Sequence, residues 1–280
     1  MQPRSRPEAL RLVASIACGM ALACLLQRDA MAKPDLLAVT LNIWHDQQDW
    51  PARRAVILDT LRVLGPDIVF LQEVLQKEGL PNQAQAIADS LGFAFVFASV
   101  DPPGAPKRYG NAILTRHRLV ATHEVKLEPL DDYRVAAHAC LEIAGHRVDA
   151  YVTHLHHTAE GSAIRAEQVR DLSEFIAETR SAEALVVGGD FNAAPDAREL
   201  EPLREQLIDT YALLHPEQVG VLVSTLNPAM GHTPQRIDYL FAAPGGLEPV
   251  ASRIFLATPA ASGVWASDHF GVWTAFSWSE

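Results

Sequence analysis

Leu185-Val-Val-Gly-Gly-Asp-Phe-Asn192 is an apolar run that stops abruptly on polar residues. Its aliphatic start reads as a buried strand over 184–188, with Asp190 and Asn192 placed where the strand ends. A strand end is stiff and its side chains reach open space, so chemistry collects there in sheet proteins. A single Asp or Asn in such a place is ordinarily a turn cap. Here the pattern recurs. Asn42 ends Thr40-Leu-Asn-Ile-Trp44, Glu73 ends Phe70-Leu-Gln-Glu-Val74, and His154 ends Tyr151-Val-Thr-His-Leu155. Asp238 interrupts Arg236-Ile-Asp-Tyr-Leu-Phe241, and Ser267-Asp268-His269 directly precedes the last apolar run.

Between these points the periodicity alternates. Strands are expected over 36–44, 67–72, 93–100, 111–115, 119–127, 135–143 and 146–154, with Ala144-Gly145 as a tight hairpin turn, and later over 236–242, 250–256 and 270–277. The 3.6-residue pattern predicts helices over 53–64, 83–91, 163–180 and 199–207. There is no internal repeat and no low-complexity tract. Many consecutive strands with a few helices imply an α/β protein, two sheets packed face to face with helices outside, and residues 33–280 read as one domain.

The 280 residues are 49% hydrophobic and 20% charged, which excludes a disordered chain or a disulfide-stapled miniprotein. Lys and Arg number 23 against 34 Asp and Glu, a formal net charge of −11. Residues 1–32 read as a cleaved secretory signal: a basic start to Arg11, an uncharged run from Leu12 to Leu26, and Ala30-Met-Ala32 as the small-x-small cleavage pattern. That run is shorter than the about 18 residues of a membrane span, so no stable transmembrane anchor is expected and the protein reads as periplasmic or secreted. A lipoprotein reading through Cys24 is weakened by Ala21, where such signals favour Leu. Removing Arg4, Arg6, Arg11 and Arg28 with Glu8 and Asp29 leaves a chain even more acidic than the whole. Of three cysteines only Cys140 would remain, a buried thiol in an apolar strand.

The set Leu41-Asn-Ile-Trp44, Leu71-Gln-Glu-Val74, Gly110-Asn-Ala-Ile-Leu114, Thr153-His-Leu155, Gly189-Asp-Phe-Asn-Ala193, Arg236-Ile-Asp-Tyr239 and Ser267-Asp-His269 strongly resembles the endonuclease/exonuclease/phosphatase superfamily, in family order. That resemblance implies a four-layer α/β/β/α sandwich with two mainly antiparallel sheets and a site at one edge. It implies Glu73 and Asp268 as ligands of Mg²⁺ or Mn²⁺, supported by Asn42, since these hard cations take oxygen ligands and keep several waters. It implies Asp190 as the group that orients and deprotonates water, Asn192 as a phosphoryl hydrogen-bond donor, and His269 paired with Asp238 as a phosphate contact or as the base itself. His154 is then a candidate acid or phosphate contact, and Tyr109 and Asn111 with Arg108 are candidate substrate contacts.

His154-Leu-His156-His157 has partial zinc-site spacing, but Thr158 and Ala159 stand where a metallo-β-lactamase-like motif needs Asp and His. Arg165 and Gln168 are either solvent-facing or supporting residues. No Gly-x-Gly-x-x-Gly, Walker A or Gly-x-Ser-x-Gly motif is present, which disfavours nucleotide-dependent transferases and serine hydrolases. The expected activity is a Mg²⁺-dependent hydrolysis of phosphodiesters, nuclease-like first, with a sphingomyelinase-like lipid phosphodiesterase, a phosphomonoesterase and a non-catalytic secreted binding protein as alternatives. The substrate would be nucleic acid or a phospholipid head group, and no protein partner is inferable. The acidic balance argues against a tight grip on long nucleic acid.

Overall fold

The computed structural model describes residues 34–218 and 222–279, so the expected signal at 1–32, with Cys18 and Cys24, lies outside the described residues. The first half runs β1 (Leu36–Asn42), α1 (Trp50–Leu64), β2 (Ile68–Gln76), α2 (Gln83–Leu91), β3 (Ala94–Ser99), β4 (Arg108–Thr115) and β5 (Arg118–Lys126). It continues with β6 (Val135–Ile143), β7 (His146–His154), α3 (Ser162–Thr179), β8 (Ala184–Asp190), the one-turn α4 (Glu201–Arg204), β9 (Ile208–Asp209) and α5 (Thr210–Leu214). The last strands are β10 (Asp238–Ala242), β11 (Leu247–Phe255) and β12 (Gly271–Trp278).

Two six-stranded sheets form, in the orders β11-β12-β1-β2-β4-β3 and β5-β6-β7-β8-β10-β9. Each is antiparallel except for one pair, β1 with β2 and β7 with β8, and each parallel pair is joined through a helix, α1 or α3. That is the expected sandwich. Strand alternation explains the layers. In β1, Leu36 and Ala38 face the other sheet while Val39 and Leu41 lie under Ile57 and Leu61 of α1. In β8, Val186 faces inward while Leu185 and Val187 lie under Val169, Leu172 and Phe175 of α3. Both faces are covered, so these strands read as continuous apolar runs. Gly188 is required between the sheets, because a Cβ there would stand 2.2 Å from the Phe70 ring. The hairpin turn has positive φ at both Ala144 (51°) and Gly145 (88°).

Several boundaries differ from expectation. Helix α1 starts at Trp50 because the Asp49 carboxylate caps it, accepting from the Ala52 amide at 3.1 Å. The helix expected over 199–207 is a single turn preceded by a 3₁₀ turn, with Pro202 in its first turn. Strand β2 does not end at Glu73. It runs on to Gln76 through a bulge in which Gln72 and Glu73 together oppose Asn111. Among the described residues no helix is long and apolar enough to cross a membrane.

Candidate active site

The polar strand-end residues meet because they share parity with the inward-facing apolar ones. Asn42 continues Leu36 and Ala38, His154 continues Val148, Ala150 and Val152, Asp190 continues Ala184 and Val186, and Asp238 precedes Leu240 and Ala242. All four therefore lie on the inter-sheet faces at one edge of the sandwich. Register fixes the rest: Asp238 pairs with Asp190, and His154 pairs with Asp190 on its other side. Glu73 joins them through the bulge, where its φ of 59° departs from strand geometry.

Asp190 is the hub. Its Oδ2 accepts from Asn42 Nδ2 at 3.0 Å and lies 3.4 Å from His154 Nε2 and 3.8 Å from His269 Nε2. Its Oδ1 accepts from the Asn192 amide at 3.0 Å. His269 Nδ1 lies 3.0 Å from Asp238 Oδ2, and Asp238 Oδ1 is buried without a partner. Burial and the neighbouring Asp238 push Asp190 up to about 7, against the pull of His269. Burial opposes the proton on His269, but Asp238 and Asp190 overcome it and raise His269 to about 10. His154 falls well below the usual histidine value, first through burial and then through Arg134 and His269.

A divalent cation is not part of the structure, so the donors themselves are the test of fit. Glu73 and Asp268 have no Lys or Arg within salt-bridge reach among the described residues. Glu73 is met by Asn42 Nδ2 at 3.2 Å and His45 Nε2 at 3.9 Å, and Asp268 by His232 Nε2 at 3.1 Å. Glu73 shares the Asn42 amide with Asp190, and Asp268 directly precedes the His269 that lies against Asp190, so the carboxylates offer oxygen ligands of the kind Mg²⁺ takes. Asp190, Asp238 and His269 also bring ligand atoms within 4.8 Å of one another. That trio already has His269 hydrogen-bonded to Asp238 and holding its proton, so the carboxylate pair fits a hard cation better.

Not every expected contact falls in place. Asn42 turns its oxygen to the Trp44 amide at 2.9 Å, so its N–H groups, not its oxygen, face Glu73 and Asp190. Asn192 lies beyond the strand at φ 50° and donates to Leu155 O at 3.0 Å. Tyr109 and Asn111 share the inward face of β4, and burial with Glu73 close by raises the Tyr109 hydroxyl well above its usual range. Arg108 is on the opposite face, its guanidinium 4.8 Å from the Phe97 ring, and does not join the site. His156 is fully engaged, by Asp132 at 2.7 Å and Thr158 at 2.8 Å, which leaves no nitrogen for zinc. Arg165 and Gln168 are buried supports of that loop, donating to Thr158 O and to Asp132.

Three residues escape sequence reasoning. Arg134, buried just before β6, donates to His157 Nδ1 at 3.2 Å and places its Nε 3.5 Å from Asp132 Oδ2. His232 reaches Asp268 from the loop before β10. Arg53 sits behind the metal-type carboxylates. None has a local sequence signal: Arg134 and His232 meet partners from other segments, and Arg53 gathers carbonyls from residues 43–47 together with Ala266 O.

This order of residues matches the family model described as "Endonuclease/Exonuclease/phosphatase family" over residues 39–269. The chain belongs to the endonuclease/exonuclease/phosphatase family. Among its relatives is a Caenorhabditis elegans protein named "Putative neutral sphingomyelinase", 27% identical over 61% of this chain and 44% of that protein. The chain thus spans less than half the length of that relative. Solved structures with a similar fold include the human Nocturnin catalytic domain with bound sulfate, at TM-score 0.73 and 24% identity over 91% of this chain and 98% of that one. A D. rerio TDP2 complexed with a single-strand DNA product superposes at TM-score 0.70 and 18% identity, covering 86% and 98%. The family fold is therefore present nearly throughout the described residues.

Proposed function

We propose that this protein is a Mg²⁺- or Mn²⁺-dependent hydrolase of phosphodiester bonds, nuclease-like in its chemistry. The observation that carries the reading is the buried Asp238–His269 pair aimed at Asp190, together with the carboxylates Glu73 and Asp268, which no Lys or Arg reaches within salt-bridge distance among the described residues. Bound there, the cation would neutralise charge developing on the phosphoryl oxygens. Asp190 is the group suited to take the proton of the attacking water, because its raised pKa lies near neutrality. His269 holds its proton and so serves as a donor to the phosphoryl group, with Asp238 fixing its ring. His154, kept neutral, is suited to hydrogen-bond a phosphate or leaving oxygen. Water adds to phosphorus, the ester P–O bond breaks, and the leaving oxygen takes up a proton.

Nucleic acid is the first substrate class, supported by the fold shared with the TDP2 complexed with a single-strand DNA product. A lipid phosphodiesterase is the second, supported by the sphingomyelinase-named relative. The aromatic residues that a membrane approach would need are otherwise committed: Trp44 and Trp50 lie against Arg53, and Trp265 stacks on Phe270. The signal-like residues 1–32 support export to the periplasm or medium. A panel of plasmid DNA, RNA, sphingomyelin and an aryl phosphomonoester under one Mg²⁺ condition tests this. Cleavage of DNA or RNA is expected; turnover of sphingomyelin alone selects the second reading, and of the monoester alone overturns both.

A further inference from the structure

Arg53 is 1% exposed, yet it forms no ion pair among the described residues. Each of its five N–H groups goes to a backbone carbonyl instead. Nε donates to Gln47 O at 3.0 Å, one terminal nitrogen to Ile43 O at 2.7 Å and Ala266 O at 3.0 Å, and the other to Trp44 O at 3.1 Å and His45 O at 2.8 Å. These carbonyls belong to two segments far apart in sequence. The first follows Asn42 directly, and the second precedes Ser267 and Asp268. The segments are also joined by Ser267 Oγ donating to Asn42 O at 2.7 Å.

The first segment is not relaxed. Trp44, His45 and Gln48 have φ of 54°, 31° and 51°, a conformation that non-glycine residues keep only when the surroundings enforce it. From it, the His45 ring and the Asn42 amide reach Glu73. Burial lowers the pKa of Arg53 to about 10, against the opposing pull of the Asp268 and Glu73 charges. A buried guanidinium is costly to leave uncompensated, and here the compensation comes from carbonyl dipoles and from those two carboxylates at longer range.

We propose that Arg53 is a positioning residue for the divalent-cation site, holding the strand-end segment after Asn42 and the segment before Asp268 on one guanidinium and thereby fixing where the Glu73 and Asp268 carboxylates stand. This rests on reading those carboxylates as the cation's ligands. Its role is distinct from theirs, because it touches neither the cation nor the substrate.

Calorimetric titration of the full protein with Mn²⁺ alone tests the assignment. Wild type should bind Mn²⁺, and Glu73→Gln and Asp268→Asn should each abolish binding; if binding survives in both, the ligand reading itself is wrong and the proposal falls with it. Arg53→Lys keeps the charge but has at most three donors. Its Mn²⁺ dissociation constant should rise about 10–100-fold, as for other residues that orient metal ligands, while KM for a phosphodiester at saturating Mn²⁺ stays within about twofold. A folded Arg53→Lys protein with wild-type Mn²⁺ affinity overturns the proposal. Should that variant not fold, hydrogen exchange on wild type decides: Mn²⁺ should slow exchange in residues 43–48 and 265–268 together, and protection of neither segment, or of one alone, overturns it.

Discussion

Asp238→Asn preserves shape while removing the carboxylate that faces His269. Asp238 is fully buried, its Oδ2 lies 3.0 Å from His269 Nδ1, and its backbone N–H is held by Thr225 Oγ1 at 3.1 Å, so the substituted chain has little freedom to rearrange. A charge-assisted hydrogen bond in a dry site contributes about 1.5–3 kcal/mol. If that bond acts mainly in the transition state, at about 1.4 kcal/mol per decade kcat should fall about 10–150-fold. Stability should fall with it, because buried His269 keeps its proton chiefly through Asp238, and removing one partner of a buried pair costs up to about 3–5 kcal/mol, less here because the substitution also relieves the neighbouring Asp190. The assay is hydrolysis of an activated aryl phosphodiester at saturating Mn²⁺, with a thermal melt of the same sample. With kcat measured well below the variant's Tm, a kcat within threefold of wild type would refute the pairing of Asp238 with His269 as a catalytic device, and an unshifted Tm would refute the charged pair.

Arg134→Gln should raise KM for a phosphodiester about tenfold and flatten its salt dependence, because the Arg134 guanidinium, held between His157 and Asp132, puts positive charge on His154; unchanged KM in steady-state kinetics counts against a role in phosphate binding. Gly188→Val should cost at least about 1–3 kcal/mol through overpacking against Phe70, lowering Tm by roughly 2–12 °C in a melt, and an unshifted Tm would contradict the inter-sheet contact. Burial raises Asp149, but His138 and the Ser181 and Ala182 amides outweigh it and hold it below the usual carboxylate value. A depressed folded pKa adds stability above the unfolded value that is lost as pH falls through the folded one. Denaturant melts of Asp149→Asn should therefore show a weaker loss of stability than wild type below about pH 4, the ordinary carboxylate range; parallel curves would sink this account.

Much of the fold was legible because burial on both faces leaves a strong local mark. The run from Leu36 to Leu41 has to be covered twice, and Ala144-Gly145 permits little but a tight turn. The site was legible in the same way, as polar residues sharing parity with inward-facing ones: Asn42, His154, Asp190 and Asp238. What local sequence could not carry was imposed by pairing across the sheet. The bulge at Glu73 exists because two residues of β2 oppose one of β4, and Arg108 is turned from the site by strand parity set in that same ladder. Arg53, Arg134 and His232 were silent for a related reason. Arg134 and His232 are ordinary polar residues in their own segments and gain partners only where His157 or Asp268 arrives from elsewhere in the chain, while Arg53 holds the loop before its own helix and joins it to a second segment only where Ala266 arrives.

Hydrolysis of an activated phosphodiester by the purified protein, measured with Mg²⁺ or Mn²⁺, then with EDTA, then after restoring the cation, is the most direct measurement. Turnover that requires the cation, stops with EDTA, returns on re-addition and is lost in Glu73→Gln and Asp190→Ala is the predicted result. Turnover undiminished by EDTA, or retained in Asp190→Ala, would contradict it.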